Sequence, residues 1–176
     1  MKKVAVIGCG GAGKSTLSRT LSELMNIPVY HIDKLNWNPG WIPASQDALS
    51  EMINALVLKE EWIIDGNYSS TLDIRLECAD TVIFLNMPTY LCFYRVLKRR
   101  IMYSGKSRPD MNEGCPEKID LEFIKWIWGF NKNRRPLILN KLDKVSTEKD
   151  VFILSNPSEV DKFLDNLRCN KVQLNE

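Results

Sequence analysis

Eight residues near the start of the chain have the types and spacing of a phosphate-binding loop. They read Gly8-Cys9-Gly10-Gly11-Ala12-Gly13-Lys14-Ser15, or G-x-x-x-x-G-K-S, between an apolar run and a segment of helical periodicity. Glycines let the backbone curl its N–H groups around an anion, and the following helix directs its positive end to the same place. A glycine-rich strand-to-helix turn without a ligand is the alternative.

This loop supplies the first expected site residues. We expect Lys14 to reach the β- and γ-phosphates and act in catalysis, and the Ser15 hydroxyl to ligate Mg²⁺. The residues expected to contact a nucleotide are Gly8, Gly10, Gly11, Ala12, Gly13, Lys14, Ser15 and Thr16.

Two acidic residues follow predicted strands and are candidates for the same site. Asp33 closes the second apolar run of the chain, and Asp65 closes the third. Because ligands of parallel sheets bind beyond the carboxyl ends of the strands, both acids should lie near the loop. Asp-Gly after a strand is also a common turn, which is the alternative for Asp65. His31 is the one histidine, and we expect it to be packed rather than catalytic.

A helix predicted over Thr89–Tyr103 and the loop after it carry a cluster of cations. No Asp or Glu occurs from Thr81 to Pro109. The cations of this stretch are Arg95, Lys98, Arg99, Arg100, Lys106 and Arg108. Arg95 and Arg99 are four residues apart and share a helix face. The missing counter-charges favour anion binding, and a solvated basic face is the alternative.

Five short apolar runs alternate with helical segments, which predicts an α/β fold with a parallel sheet and helices on both faces. The runs are Lys3–Ile7, Val29–Ile32, Trp62–Asp65, Thr81–Leu85 and Val151–Leu154. Helices are expected to begin at Ser15, at a Ser45 cap, at Thr89, at Pro116-Glu117 and at Ser158. A loop is expected over Lys34–Pro43 and a frayed tail from Asn170 onward.

The segment 104–116 is predicted to be a mobile lid within a single domain that covers residues 1–176. It is polar and contains glycines, prolines and little apolar content beyond Met111, so it should bury little surface. Because it follows the cationic helix directly, its closure would carry Lys106 and Arg108 toward bound phosphates.

The amino-acid composition of the chain indicates its cellular compartment and the classes of partner that it could bind. A net charge of +2 over 176 residues is too small to indicate nucleic-acid binding by itself. The five cysteines form no C-x-x-C pair, which argues against a zinc site or a disulfide framework and suits a reducing cytosol. We find no signal peptide and no uncharged apolar stretch of membrane-spanning length. A cytoplasmic protein without membrane contact is therefore expected.

Several stretches together resemble a known family. They are GCGGAGKSTL, HIDKLNWNPGW, WIIDGNYSSTLDIRL, ADTVIFLNMP, RVLKRR, SRPDM, GCPE and FNKNRRP. Across nearly the whole chain they resemble the bacterial DNA topology modulation proteins, which are relatives of adenylate kinase and shikimate kinase among the P-loop kinases. The resemblance implies a P-loop NTPase fold of the nucleoside-monophosphate-kinase type, a five-stranded sheet of order 2-3-1-4-5, and a flexible lid.

The same resemblance implies roles for the acidic residues. Asp65 would be a metal-site residue that holds a water of the Mg²⁺ shell, and Asp33 would orient the acceptor hydroxyl or act as general base. His31 stands where shikimate-kinase-like proteins have the first acid of a D-x-D pair, so its participation is open. Trp37 and Trp41 lie where related kinases bind the acceptor, as aromatic walls or as a plug at the end of the sheet.

The resemblance also implies roles for the cationic residues. Arg95 and Arg99 would clamp the transferring phosphoryl group, whose charge lies on its equatorial oxygens. Arg108 and Asn156 are further expected contacts of the nucleotide.

These features predict an ATP-binding phosphotransferase that uses Mg²⁺ and passes the γ-phosphoryl group of ATP to a small acceptor. The identity of the acceptor and the choice between ATP and GTP stay open. The alternative is a nucleotide-dependent regulator of DNA topology that binds DNA through the cationic helix and the lid. We find no helix-turn-helix or other reader motif that supports it.

Overall fold

The computed structural model describes residues 1–173, and the side chains of residues 1–169. Its strands are β1 (Lys3–Gly8), β2 (Val29–His31), β3 (Trp37–Asn38), β4 (Ile42–Pro43), β5 (Trp62–Asp65), β6 (Thr81–Leu85) and β7 (Asp150–Leu154). Five of them form one parallel sheet in the order β2-β5-β1-β6-β7, which confirms the predicted order 2-3-1-4-5. The short strands β3 and β4 pair antiparallel as a separate hairpin.

The helices cover most of the remaining chain. They are α1 (Lys14–Met25), α2 (Ile32–Asn36), α3 (Gln46–Val57), α4 (Leu72–Cys78), α5 (Thr89–Met102), α6 (Leu121–Asn133), α7 (Arg135–Val145) and α8 (Pro157–Gln173). Within residues 1–173 no helix is both long and apolar enough to span a membrane.

The central strands of the sheet consist of continuous apolar residues, which allows them to be buried on both faces. Residues 4–7 of β1 and 82–84 of β6 have no exposed surface, as a strand covered on both faces requires. The glycine-rich loop begins where β1 ends and finishes where α1 starts, so it lies at the carboxyl edge of the sheet. The same edge receives the ends of β2 and β5.

Several predicted boundaries are wrong. Asp33 lies in the first turn of α2 rather than at a strand end, because β2 stops at His31. The expected loop 34–43 contains the end of α2 and the β3–β4 hairpin. Helix α6 starts at Leu121, where the Asp120 carboxylate accepts the Phe123 N–H at 2.7 Å, and not at Pro116-Glu117.

The C-terminal helix also differs from expectation at both ends. It starts at Pro157, one residue before the predicted Ser158, and its backbone stays helical through Gln173, where a tail was predicted from Asn170. Residues 174–176 of that predicted tail lie outside the described residues.

The lid segment is packed, so the expectation that it buries little surface is wrong. The two ends of the segment are joined by backbone contacts. The Glu117 N–H donates to the Lys106 carbonyl at 3.0 Å, and Ser107 forms a β-bridge with Pro116. The buried residues of this region are Arg108, Asp110, Met111, Cys115 and Glu117. Mobility of 104–116 stays a prediction.

Candidate active site

The glycine-rich loop has the curled backbone that an anion cradle needs. Gly11 and Gly13 adopt φ of 80° and 105°, in the left-handed region that side chains disfavour. A Cβ on Gly11 would lie 2.3 Å from the Cys92 carbonyl oxygen of α5, so the loop also packs closely against that helix. Helix α1 begins immediately after Gly13 and directs its N-terminal N–H groups into the loop.

Two cations lie directly against the loop. The Lys14 ammonium donates to the Cys9 carbonyl at 3.0 Å. The Arg95 guanidinium, reaching across from α5, donates to the Ala12 carbonyl at 2.9 Å. Both charges therefore sit at the cradle and need only exchange a carbonyl partner to bind a phosphate oxygen.

A cavity of about 1120 Å³ opens above the loop and collects most of the predicted site residues. The predicted residues that line it are Gly10, Gly11, Ala12, Gly13, Lys14, Ser15, Thr16, Asp33, Arg95, Arg99 and Arg108. Gly8 is buried beneath the loop at the end of β1. Asn156 is not brought into the lining: its side chain accepts the Glu159 N–H at 3.0 Å and caps α8. The cavity exceeds the usual range for one small ligand, which suits two substrates.

Asp65 is held by a histidine on the neighbouring strand. The β2–β5 register places His31 opposite Asp65, and His31 Nδ1 lies 2.9 Å from the carboxylate. Burial lowers the pKa of His31, but the hydrogen bond and the charge of Asp65, with that of Asp110, outweigh it and raise the pKa above its ordinary value. His31 is thus packed, as expected, and its partner is the expected metal-site residue.

Asp110 is a site residue that the sequence reasoning missed. Asp110 is 8% exposed and lines the same cavity as Ser15, the predicted metal ligand. Burial alone would raise the pKa of Asp110, yet the charge of Arg108 and the Ser15 hydroxyl hold it below the ordinary value. The acid-free stretch noted in the sequence ends at Pro109, one residue before this carboxylate.

Arg99 of α5 and Arg108 of the lid are both paired with carboxylates, which corrects the inference that these arginines lack counter-charges. Glu117, 3% exposed, binds Arg99 Nε at 2.8 Å and Arg108 Nε at 2.6 Å. Arg108 also contacts Asp110 at 3.0 Å. Burial and the charge of Arg108 lower the pKa of Arg99. Glu117 thus fixes two guanidinium groups at the cavity wall, one from α5 and one from the lid.

Asp33 lies at the other end of the cavity with an aromatic surround. Tyr68 donates its hydroxyl to Asp33 at 3.0 Å. Burial, followed by the charge of Asp33, raises the pKa of Tyr68, so the phenol stays a donor. Trp37 and Trp41 line the cavity with ring centroids 5.4 Å apart in an edge-to-face pair. Trp37 and Trp41 therefore form part of the wall of the cavity.

Arg75 shapes this end of the cavity from beneath. It has no exposed surface and donates to the carbonyls of Gly66, Tyr68 and Thr71 at 3.0–3.1 Å. Burial lowers its pKa to about 10. Three such bonds fix the segment 66–71, which carries Asn67 and Tyr68 into the cavity lining. Periodicity alone could not identify it, because Arg in a short helix usually faces water.

An apolar wall flanks the loop on the opposite side. Phe123 and Trp126 of α6 stack with centroids 5.9 Å apart and an interplanar angle of 9°. A Cβ on Gly10 would lie 2.8 Å from Phe123 Cζ, so the stack stands directly beside the loop. Val160 and Leu164 of α8 complete this part of the lining.

The residues present fit a magnesium-bound nucleotide. The glycine cradle accommodates phosphate only where no Cβ intrudes, and the Ser15 hydroxyl and the Asp110 carboxylate, both hard oxygen ligands, line the same cavity. Asp65 is buried at the end of β5 and is not among the residues that line the cavity. Among the described residues no group of three or more His, Cys, Asp or Glu could hold a metal ion. Mg²⁺ takes few protein ligands and completes its shell with phosphates and water.

Solved structures share this fold. A shikimate kinase from Acinetobacter baumannii in complex with shikimate matches with a TM-score of 0.65 and 17% identity, over 100% of this chain and 95% of that one. A gluconokinase from Sinorhizobium meliloti 1021 matches with a TM-score of 0.51 and 16% identity, over 99% and 98%. No protein-family profile and no curated protein matches the chain. The likeness shows that the chain has the fold of P-loop kinases.

Proposed function

We propose that this chain is an ATP-dependent kinase that transfers the γ-phosphoryl group to a small acceptor. The observation that carries the proposal is the convergence of the glycine cradle, Lys14, Ser15 and three arginines on one cavity. The arginines are Arg95, Arg99 and Arg108. A phosphoryl-transfer transition state spreads charge over equatorial oxygens, and fixed cations in a secluded cavity stabilise it.

The proposed roles follow the geometry at each end of the cavity. The loop backbone and Lys14 bind the β- and γ-phosphates, and the nucleotide base packs against Phe123 and Trp126. Ser15 and Asp65 are the residues that would hold Mg²⁺. The metal ion would neutralise charge on the phosphates.

The acceptor belongs at the Asp33 end. Asp33 orients its hydroxyl or takes its proton, with Tyr68 fixing the carboxylate, and the lid excludes water. Trp37 and Trp41 provide flat apolar surfaces for a ring. The proteins that share this fold include a shikimate kinase and a gluconokinase, which supports a small acceptor.

The DNA-binding alternative finds no support in the described residues. Arg95 and Arg99 face the cavity, where they bind Ala12 and Glu117, rather than an outer surface. The outward side of α5 exposes apolar residues, namely Tyr90, Tyr94, Leu97 and Ile101. A surface for duplex phosphates would instead present a row of free cations. The comparisons likewise do not support the narrower assignment to the DNA topology modulation family, and a cytoplasmic location stays a prediction.

A metabolite screen tests the proposal. Purified protein is given Mg-ATP and pools of hydroxyl-bearing metabolites, and ADP release is followed. We expect release with one pool, and a loss of about 100-fold or more in Lys14→Ala, because transition-state contacts of this kind contribute that much. Lys125→Ala, an exposed lysine on α6, is the control. ADP release that is the same in Lys14→Ala as in the parent would contradict the proposal.

A further inference from the structure

The outer surface of α5 and α6 carries most of the exposed apolar side chains of the protein. Among the residues whose side chains the structure describes, eleven large apolar residues are exposed, of which five lie on α5 and two, Leu121 and Trp128, on α6. The two helices pack side by side, because Trp128 contacts Phe93 edge to face at 6.0 Å and Asn131 donates to the Thr89 hydroxyl at 2.8 Å. A concentration of exposed apolar side chains on one surface indicates an interaction site.

Four of these residues form a narrow row along α5, which we call the α5 stripe. Its members are Tyr90, Tyr94, Leu97 and Ile101, which are 40–79% exposed. They are separated by four, three and four residues, so on an α-helix they lie within about 60° of one another. Such spacing is typical of helices that pack against another helix. The opposite side of α5 is occupied by the core of the domain, and the stripe faces outward.

The spacing of the α5 stripe is the same in both directions along the helix. A two-fold axis through its midpoint would therefore bring Tyr90 against Ile101 of a second copy, and Tyr94 against Leu97 of that copy. The two α5 helices would then be antiparallel, and each contact would join an aromatic ring to an aliphatic side chain. The stripe is thus complementary to itself, as the contact of a symmetric dimer must be.

The charges of α5 favour the same antiparallel arrangement. The helix contains no acidic residue, and its exposed Lys98 lies in the carboxyl-terminal half. In a parallel pair the Lys98 side chains of the two copies would lie next to each other and repel. The two-fold axis instead places each Lys98 opposite Phe93 of the other copy, so the two ammonium groups are kept apart.

The size of the surface also suits a dimer. The α5 stripe together with Leu121 and Trp128 exposes a mostly apolar area on the order of 800 Å², which is what each partner of a standard interface contributes. Three of these six residues are Tyr or Trp, the types that contribute most to interfaces.

We infer that the α5 stripe is the centre of a two-fold interface between two copies of this chain, with the two α5 helices antiparallel. The inference does not depend on the proposed function. It assigns a role to the outer side of the helix whose inner side holds Arg95 against the glycine-rich loop.

Sedimentation velocity over a range of micromolar concentrations tests the interface. We expect the parent protein to reach twice the chain mass of 20.3 kDa. Tyr94→Glu places a charge at the centre of the interface and should raise the dissociation constant of the dimer by about 30-fold or more. Leu58→Glu introduces the same charge at an apolar residue that is 81% exposed, directly after α3, and should leave the constant unchanged.

Disulfide cross-linking tests the antiparallel pairing. A Cys169→Ser background removes the exposed cysteine. In that background the double variant Tyr90→Cys/Ile101→Cys should form a covalent dimer when oxidised with copper phenanthroline. Tyr90→Cys alone should not, because position 101 of the second copy lies opposite it. A parallel pair would give the reverse, with rapid cross-linking of Tyr90→Cys alone.

The alternative occupants of this surface are separated by the same measurements. A parent protein that sediments as a single chain at every concentration overturns the inference, whether or not it binds vesicles of anionic phosphatidylserine. A dimer that is equally tight in Tyr94→Glu, or cross-linking of Tyr90→Cys alone, also overturns it. Circular dichroism verifies the folding of Tyr94→Glu, and Leu97→Glu takes its place if that variant does not fold.

Discussion

His31 and Asp65 form the most buried charged contact between two strands of the sheet. Their side chains are 10% and 4% exposed, and the parallel register of β2 and β5 brings them to 2.9 Å. The contact fixes the orientation of the carboxylate that we assign to the metal site. Because of this contact, the free energy of unfolding depends on whether the His31 imidazole is protonated.

The pH dependence of stability tests this pair. The folded pKa of His31 is raised above the unfolded value of 6.5, so the stabilisation is fully present below pH 6.5 and is lost as pH rises through the folded pKa. Urea unfolding should show His31→Asn less stable than the parent by about 1–3 kcal/mol near pH 5.5 to 6, the range for a charged hydrogen bond. The difference should shrink at higher pH. A difference that is constant from about pH 5.5 to 9 would contradict the charged pair.

Elements far apart in sequence meet at the lid. Asn112 donates to the carbonyls of Lys34 and Trp37 at 2.7 and 2.8 Å, and Trp41 Nε1 donates to the Pro116 carbonyl at 3.0 Å. The lid is therefore tied to the β3–β4 region that flanks the acceptor end of the cavity. Movement of one should accompany movement of the other.

Loosening this attachment should expose the lid. Asn112→Ala removes two hydrogen bonds, each contributing about 1 kcal/mol, so amides of 104–116 should exchange with deuterium about tenfold faster or more. Glu113→Ala, at the neighbouring exposed position, is the control. Equal exchange in Asn112→Ala and the parent would show that these bonds do not hold the lid.

The same element shows where local sequence patterns stop being informative. The sequence of 104–116 is polar and breaker-rich, which predicts a solvated loop, yet Arg108 and Asp110 within it are buried. Glu117, directly after it, joins Arg99 across eighteen residues. Arg75 and Asp110 were missed because hydrophobic periodicity does not report polar contacts: Arg75 binds three carbonyls of the segment 66–71, and Asp110 pairs with Arg108. Helices α4 and α7 were also missed, and α4 is too short to show a clear period.

At the scale of the whole molecule, sequence was sufficient for the sheet. Apolar runs and the loop motif predicted the strands and their parallel arrangement, because buried parallel strands need continuous apolar residues and the loop lies at their carboxyl edge. The order of the strands was implied by the family resemblance, and the structure confirms it. That edge then gathers Asp33 and the three arginines into one cavity, while Asp65 stays buried against His31 outside the lining. The shape of the Asp33 end, where we propose that an acceptor binds, is set by contacts between distant elements, which no local pattern encodes.

The fate of the terminal phosphoryl group of ATP tests the central claim most directly. ATP radiolabelled in that group is incubated with Mg²⁺, the protein and a pooled metabolite extract, and the products are separated. We predict label on an organic acceptor with the parent protein and with Lys125→Ala, and none with Lys14→Ala. Label found only in unreacted ATP or in inorganic phosphate would contradict the proposal that this chain is a kinase.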